Sequence, residues 1–426
     1  MLRCFAMMGL GALLVTACGD PQSAMQSSAG GGEFRFERFC SVPNLRPSLR
    51  HTFILIDQGA LSQATSAEEF AARNAAVRDA VLAFADPIGA IQSGAADYRE
   101  RISVFLLPHN GSAARLLFQG CVPALSPEEL AESRRQGSAI ADFFTGGVQQ
   151  SLHNEAEAFR GRLVSAVTLA ARDAPGEARP VSGALPSSRI VASLAASGRF
   201  VTAESGVPRI VLLANLASVD LSDAESREAV RSLGFEQGGA LGLDLGRSEL
   251  HVLLVSGRRS ALARDYAEAF FLAQHARLLS WGDSTPTALP APPVEVRRFV
   301  GEAQYPAGPE AIQIRLATDR NANLVDSWLI LRGSPDRATP LTGQQTCAEA
   351  EHCTLRSDQG GFAQAWSLAP GGDPEFNNNF PFGGVRDWEI VVDDGRLTGR
   401  AFDPAVRIGA SDSIAVTGRA AEGAIF

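Results

Sequence analysis

No lysine occurs in this chain, and its 38 basic residues are all arginine. A Schiff-base lysine, a lysine general base and a P-loop lysine are therefore excluded. Positive charge is also short overall: the formal net charge is −9, so a phosphate backbone finds no basic field to follow and nucleic acid is excluded as a partner. Six histidines occur, at 51, 109, 153, 251, 275 and 352, with no HExxH pair, and no GxSxG elbow is present. No recognisable catalytic set emerges. His109, in Pro108-His109-Asn110-Gly111, is the best-placed candidate, yet the sequence names no partner for it.

What is present is an ordinary globular balance. The 426 residues are 45% hydrophobic and 20% charged, which is too apolar for a disordered polymer and long enough for two or three domains. Residues 1–18 combine an early Arg3 with an apolar run, Met7 to Val15, too short to span a bilayer. The run closes on Leu14-Val15-Thr16-Ala17-Cys18, which resembles the bacterial lipobox. The resemblance implies a signal peptide over residues 1–17 and a Cys18 bearing diacylglycerol plus a further acyl chain such as palmitate; an ordinary signal peptide with an incidental cysteine is the alternative. Several acyl chains on one residue anchor stably where a single one does not. Gly19, rather than an aspartate, follows the cysteine, which favours the outer membrane. The Gly/Ser/Gln-rich residues 18–33 read as a tether.

Four cysteines then remain, an even number suited to two disulfides in an exported protein. Cys347 and Cys353 enclose a short polar loop that a bridge would close. Cys40 and Cys121 pair by elimination. A zinc reading of Cys347, His352 and Cys353 lacks the usual ligand spacing.

From residue 34 to 284, apolar runs alternate with amphipathic stretches. Strands are expected at Thr52–Asp57, Arg101–Leu107, Ala114–Gly120, Arg209–Ala214 and Leu250–Ser256. Helices are expected at Ala67–Ala85, from Pro127 after Ser126, and at Val148–Arg172, Ser188–Gly198, Asp223–Leu233 and Arg259–Leu279. Apolar strands between helices imply an α/β, doubly wound, mostly parallel sheet, with ligands beyond the carboxyl ends of the strands. Asp57, Asn215 and Ser256 fall there. Thr285–Pro293 is a Pro-rich linker. Residues 294–426 lose the helical period and read as a small all-β domain, sandwich-like or a barrel, with Asp394-Gly395 as a hairpin turn. Asp319-Arg320-Asn321-Ala322-Asn323 begins like a calcium loop, but Leu324 and Ile330 stand where that loop needs Gly and Glu, so it reads as a turn.

With an acid ending its first long strand, the α/β region resembles a von Willebrand factor A domain over roughly residues 50–282. That family often carries a metal-ion-dependent adhesion site built from Asp-x-Ser-x-Ser, a Thr and a second Asp. The resemblance places Asp57, Ser188 and Asn215 at those positions, with Mg²⁺ or Ca²⁺ as the ion. Gly59 and Leu61 replace both serines and Asn215 has lost its charge, so the site is degenerate, and no cofactor is the favoured expectation. Asp57 and Ser62 capping the following turn is the competing reading. Asn379, Phe380 and Phe382 form a polar and aromatic loop suited to contact a protein or a glycan, or simply a surface loop. The expected function is a non-catalytic cell-envelope lipoprotein that meets an unknown envelope protein and touches the membrane by its lipid alone. A glycan-binding or metal-dependent adhesion role is the alternative, and an envelope hydrolase stands behind it.

Overall fold

A computed structural model describes residues 33–62, 64, 66–136, 147–172, 190, 193, 194, 196, 207–214, 226–243, 245–246, 248–255, 261–285, 291–305, 308–331, 334–349, 352–357, 365–368, 374–377, 387–402 and 414–421. Cys18, Ser188, Asn215, Ser256, Asn379, Phe380 and Phe382 lie outside them.

The first region contains strands β1 (Phe34–Phe36), β2 (Arg50–Asp57), β3 (Arg101–Leu107), β4 (Arg115–Cys121), β5 (Val207–Ala214), β6 (Ser248–Leu254) and β7 (Ala276–Gly282). Its helices are α1 (Gln58–Ser62), α2 (Ala67–Ala85), α3 (Gly89–Gln92), α4 (Pro127–Gln136), α5 (Val148–Arg172), α6 (Arg227–Gly239) and α7 (Ala261–Leu272). The seven strands form one mixed sheet in the order β1-β4-β3-β2-β5-β6-β7. The strands from β3 to β7 run parallel, β4 is antiparallel to β3, and β1 lies parallel to β4. The chain winds outward from β2 in both directions, so the switch point of the doubly wound order falls between β2 and β5.

Every residue of β2 and β5 is buried because alternate side chains feed two different cores. Ile54, Ile56, Val211 and Leu213 face Val81, Phe84 and Phe159 of α2 and α5. Phe53, Leu55, Ile210 and Leu212 face Val230, Tyr266 and Phe270 of α6 and α7. Local signals set the helix starts. Ser66 Oγ accepts from Glu69 N at 3.1 Å. At α4 the capping is reciprocal: Ser126 Oγ accepts from Glu129 N at 3.2 Å while Glu129 Oε2 accepts from Ser126 N at 2.8 Å. The glycines near residue 238 serve packing: a Cβ at Gly234 would stand 2.5 Å from Tyr266 O, and one at Gly238 2.3 Å from Phe270 O. Only glycine lets α6 approach α7 this closely.

Two expectations are corrected here. The helix expected over Arg259–Leu279 stops at Leu272, and Ala276–Gly282 is the edge strand β7. The turn between them holds His275 at φ 60, which breaks the helical path. The Cys347–Cys353 segment is not a loop, because both cysteines lie in the paired strands of a hairpin.

The second region holds β8 (Glu295–Tyr305), β9 (Gly308–Thr318), β10 (Ser327–Leu331), β11 (Ser334–Leu341), β12 (Gly343–Glu349), β13 (His352–Ser357), β14 (Ala365–Leu368), β15 (Pro374–Asn377), β16 (Asp387–Asp393), β17 (Arg396–Phe402) and β18 (Ile414–Ala420). Nine of these form one antiparallel sheet in the order β11-β10-β9-β8-β18-β17-β16-β13-β12, and β14 pairs with β15 separately. The outermost strands of that sheet, β11 and β12, are consecutive in the chain, joined by the single residue 342. The sheet must therefore curl until its two edges meet. Leu324 N donates to Gly343 O at 2.8 Å and Gln345 N to Ala322 O at 2.8 Å, tying the β9–β10 turn to β12. The enclosed core includes Phe299, Ile314, Leu329, Leu355, Trp388, Ile390 and Val416. Of the sandwich and barrel expected, what forms is a single curled sheet. Asp394 (φ 44) and Gly395 (φ 70) make the expected two-residue turn between β16 and β17. Asp319 also behaves as the expected turn, its Oδ1 accepting from the amides of Asn321 and Asn323 at 2.8 Å each.

Both expected disulfides are present. Cys40–Cys121 fixes the segment after β1 to the end of β4, and Cys347–Cys353 links directly opposed residues of β12 and β13.

Candidate functional site

The carboxyl ends of β2, β3, β5 and β6 meet at one rim of the first sheet. Asp57 ends β2 at the switch point and is buried, and its Oδ1 accepts from Gly59 N at 2.9 Å. That bond closes the turn into α1, the capping role that competed with metal binding in the sequence reading. Ala214, the last residue of β5, lies beside the end of β2, since Ile56 pairs with Leu213. Asn215 and Ser188, the other two positions of the resemblance, lie outside the described residues.

His109 acquires a partner here that the sequence did not reveal. The buried Gln58 turns its Oε1 to both His109 N and His109 Nδ1, at 3.1 Å each. With the amide oxygen accepting, Nδ1 is the donor of this bond. Gln58 is 51 residues from His109, and the signal that could have joined them is topological: adjacent parallel strands β2 and β3 end level, with Asp57 opposite Leu107. Among the described residues, no group of three His, Cys, Asp or Glu is placed to hold a metal ion.

The amino ends of the same strands carry a second polar constellation, which sequence reasoning missed. Register aligns Thr52 of β2, Arg209 of β5, Glu249 of β6 and Arg277 of β7 in one row across the sheet. Arg209 is completely buried, donating from Nε to Thr52 Oγ1 at 2.8 Å and from Nη2 to Glu100 Oε1 at 2.9 Å. Thr52 donates its hydroxyl to the same carboxylate oxygen, and Glu100 Oε2 accepts from Asp97 N at 2.7 Å. Burial lowers Arg209 to about 10, with Glu100 opposing that effect, so the guanidinium stays charged at neutral pH. His51 and His251 flank the row. Their ring nitrogens meet Ser103 Oγ and Ser280 Oγ, each at 2.9 Å, and burial with neighbouring arginine charge pushes both down to about 3. They are neutral structural histidines, not proton carriers at neutral pH. The available signal was the recurrence of polar residues at strand starts, as in Arg50-His51-Thr52 and Ser248-Glu249.

No protein-family model matches the chain, and no curated protein sequence matches it.

Proposed function

We propose that the chain is a non-catalytic, lipid-anchored protein of the bacterial envelope whose von Willebrand factor A-like domain and curled β-domain present surfaces to an envelope protein. The Cys40–Cys121 disulfide carries this reading. It fastens the chain a few residues beyond the expected tether to a strand of the main sheet, so that a pull on the tether meets a covalent link instead of the three-residue strand β1. Disulfides belong to an oxidising compartment outside the cytoplasm. The strand order supports the domain assignment, since an acid closes the strand at the switch point of a doubly wound sheet. The hydrogen bonds of Asp57 to Gly59 and of Gln58 to His109 support local structural work at the rim.

The test is expression of the full chain in a bacterial host fed labelled palmitate. Label and membrane fractionation are expected in the native chain and lost in Cys18→Ser. Cross-linking in intact envelopes is then expected to trap one recurrent partner. A hydrolase or transferase activity abolished by His109→Ala would sink the non-catalytic reading. The position of Asp57 beside β5 favours a second reading, metal-dependent adhesion through Asp57, Ser188 and Asn215. Calorimetry with Mg²⁺, Mn²⁺ and Ca²⁺ tests it, and a flat titration for all three ends it.

A further inference from the structure

The polar row at the amino ends of the strands does not stop at the first domain. Arg277, which ends the row on β7, stacks its guanidinium 5.7 Å from the ring centre of Trp328 on β10. Trp328 is buried, and its indole N–H donates to Asp326 Oδ1 at 2.8 Å. Asp326 in turn pairs with Arg315 of β9 at 2.7 Å. A second contact joins the same two domains, with Arg320 lying 3.6 Å from Asp97 and over the ring of Tyr98. Glu249 stands in the middle of the first contact. Arg209 and Arg277 are opposite it on the neighbouring strands, and the charges of Arg50 and, from the other domain, Asp326 act on it. Its Oε2 is buried with no hydrogen-bond partner among the described residues.

Two carboxyl groups, one from each domain, are thus enclosed at one interface. Arg209 is engaged by Glu100, Arg315 by Asp326 and Arg277 by the Trp328 ring. We propose that the two domains are held by a proton-dependent latch, in which a proton on the buried Glu249, beside the Arg277–Trp328 contact, keeps the interface closed and its loss loosens it.

The direction follows from the surroundings. Burial, reinforced by the charge of Asp326, pushes Glu249 up to about 7 against the opposing pull of Arg50, Arg209 and Arg277. Burial likewise raises Asp326 against Arg315, its Trp328 hydrogen bond, Arg277 and Arg50. Separation of the domains would return both groups to water and to ordinary carboxylate values. The closed state then binds more protons than the open one. Closure is therefore complete below the ordinary carboxylate range and weakens as pH rises toward 7. Asp97, at the second contact, is raised chiefly by burial, while Arg320 from the other domain pulls it down. His251, one turn of the pleat along β6, stays neutral through this window and contributes nothing to it.

The indole N–H of Trp328 reports opening directly. Its hydrogen-exchange rate in the purified full chain, followed by ¹⁵N NMR and divided by the intrinsic pH dependence of indole exchange, gives the opening constant. That constant is expected to rise about tenfold per pH unit, on the order of a hundredfold from pH 5 to pH 7, and then to level off. Glu249→Gln, which keeps the shape but cannot ionise, is expected to remove most of the rise. If Glu249→Gln fails to fold by circular dichroism, Asp326→Asn is read in its place, with the rise shifted to lower pH. An opening constant that does not change with pH, or an unchanged rise in the folded variant, overturns the latch.

Discussion

At the carboxyl ends of the parallel strands, Asp57 caps a turn two residues away, and Gln58 reaches His109 on the adjoining strand's loop. At the amino ends, Arg209 reaches Thr52 and Glu100 across separations of 157 and 109 residues inside a dry layer. One end uses uncharged or short-range hydrogen bonds to shape turns at the strand ends, where each bond is modest. The other holds ionised groups away from water, where each depends on its partner. The rim that a doubly wound fold offers to ligands is thus built for tolerance, and the opposite rim for rigidity and for contact with the second domain. This difference predicts which substitutions unfold the protein and which leave it standing.

The largest expected effect comes from breaking the buried pair. Arg209→Met alone leaves Glu100 charged, buried and short of its partner, and should cost about 3–5 kcal/mol. Adding Glu100→Gln should recover a large part of that loss. Denaturant unfolding of the single and double variants gives the comparison, and equal losses in both would mean that packing, not charge, governs this end.

The disulfides come next. In the chain-entropy picture, a bridge spanning 81 residues stabilises by roughly 4 kcal/mol and one spanning 6 by roughly 2 kcal/mol. Replacing both Cys40 and Cys121 by Ala should therefore lower stability more than the same change at Cys347 and Cys353. Thermal unfolding of the two double variants decides it.

The histidines at the amino ends supply a pH dependence with a definite sign. Because His51 and His251 are held near 3, the unfolded chain takes up protons that the folded chain refuses below about pH 6.5. Stability should fall as pH drops from 6.5 toward 3, by on the order of 2 kcal/mol for each histidine at pH 5. Glutamine at position 251 should flatten this slope. Above pH 6.5 neither histidine contributes, so a dependence there that Glu249→Gln removes belongs to Glu249.

These features differ in how far the sequence reveals them. The strands β2, β3 and β5 are legible because continuous apolar runs bounded by polar residues suit a sheet covered on both faces. Ser126-Pro127 with Glu129 announces α4, and Asp394-Gly395 announces its turn, because each bond closes within a few residues. The edge strand β7 is hidden inside an apparent helix: Leu278, Leu279 and Trp281 continue the apolar spacing of Phe270 and Phe271 past the break at His275. The β12 strand is hidden because Gln344, Thr346 and Glu349 are exposed on a strand at the sheet's edge and give no alternation. The charge row is the least legible. Its members come from four strands, and nothing local in the sequence links Arg209 with Thr52, Glu249 or Arg277 before the register is set.

The smallest effect tests the tolerant end. Gln58→Ala and His109→Ala each remove one side of a half-buried pair at a turn, and each should cost no more than about 1 kcal/mol. Asp57→Asn keeps an oxygen for Gly59 N and should cost about as little. That small cost is what makes the rim informative. A variant at the amino ends that loses partner cross-linking says nothing about contact, because the fold itself has been weakened. A variant at Gln58, His109 or Asp57 that keeps its unfolding midpoint and still loses the cross-link locates a contact at the switch point. If all three keep both stability and cross-link, the partner binds elsewhere, and the β-domain becomes the surface to dissect.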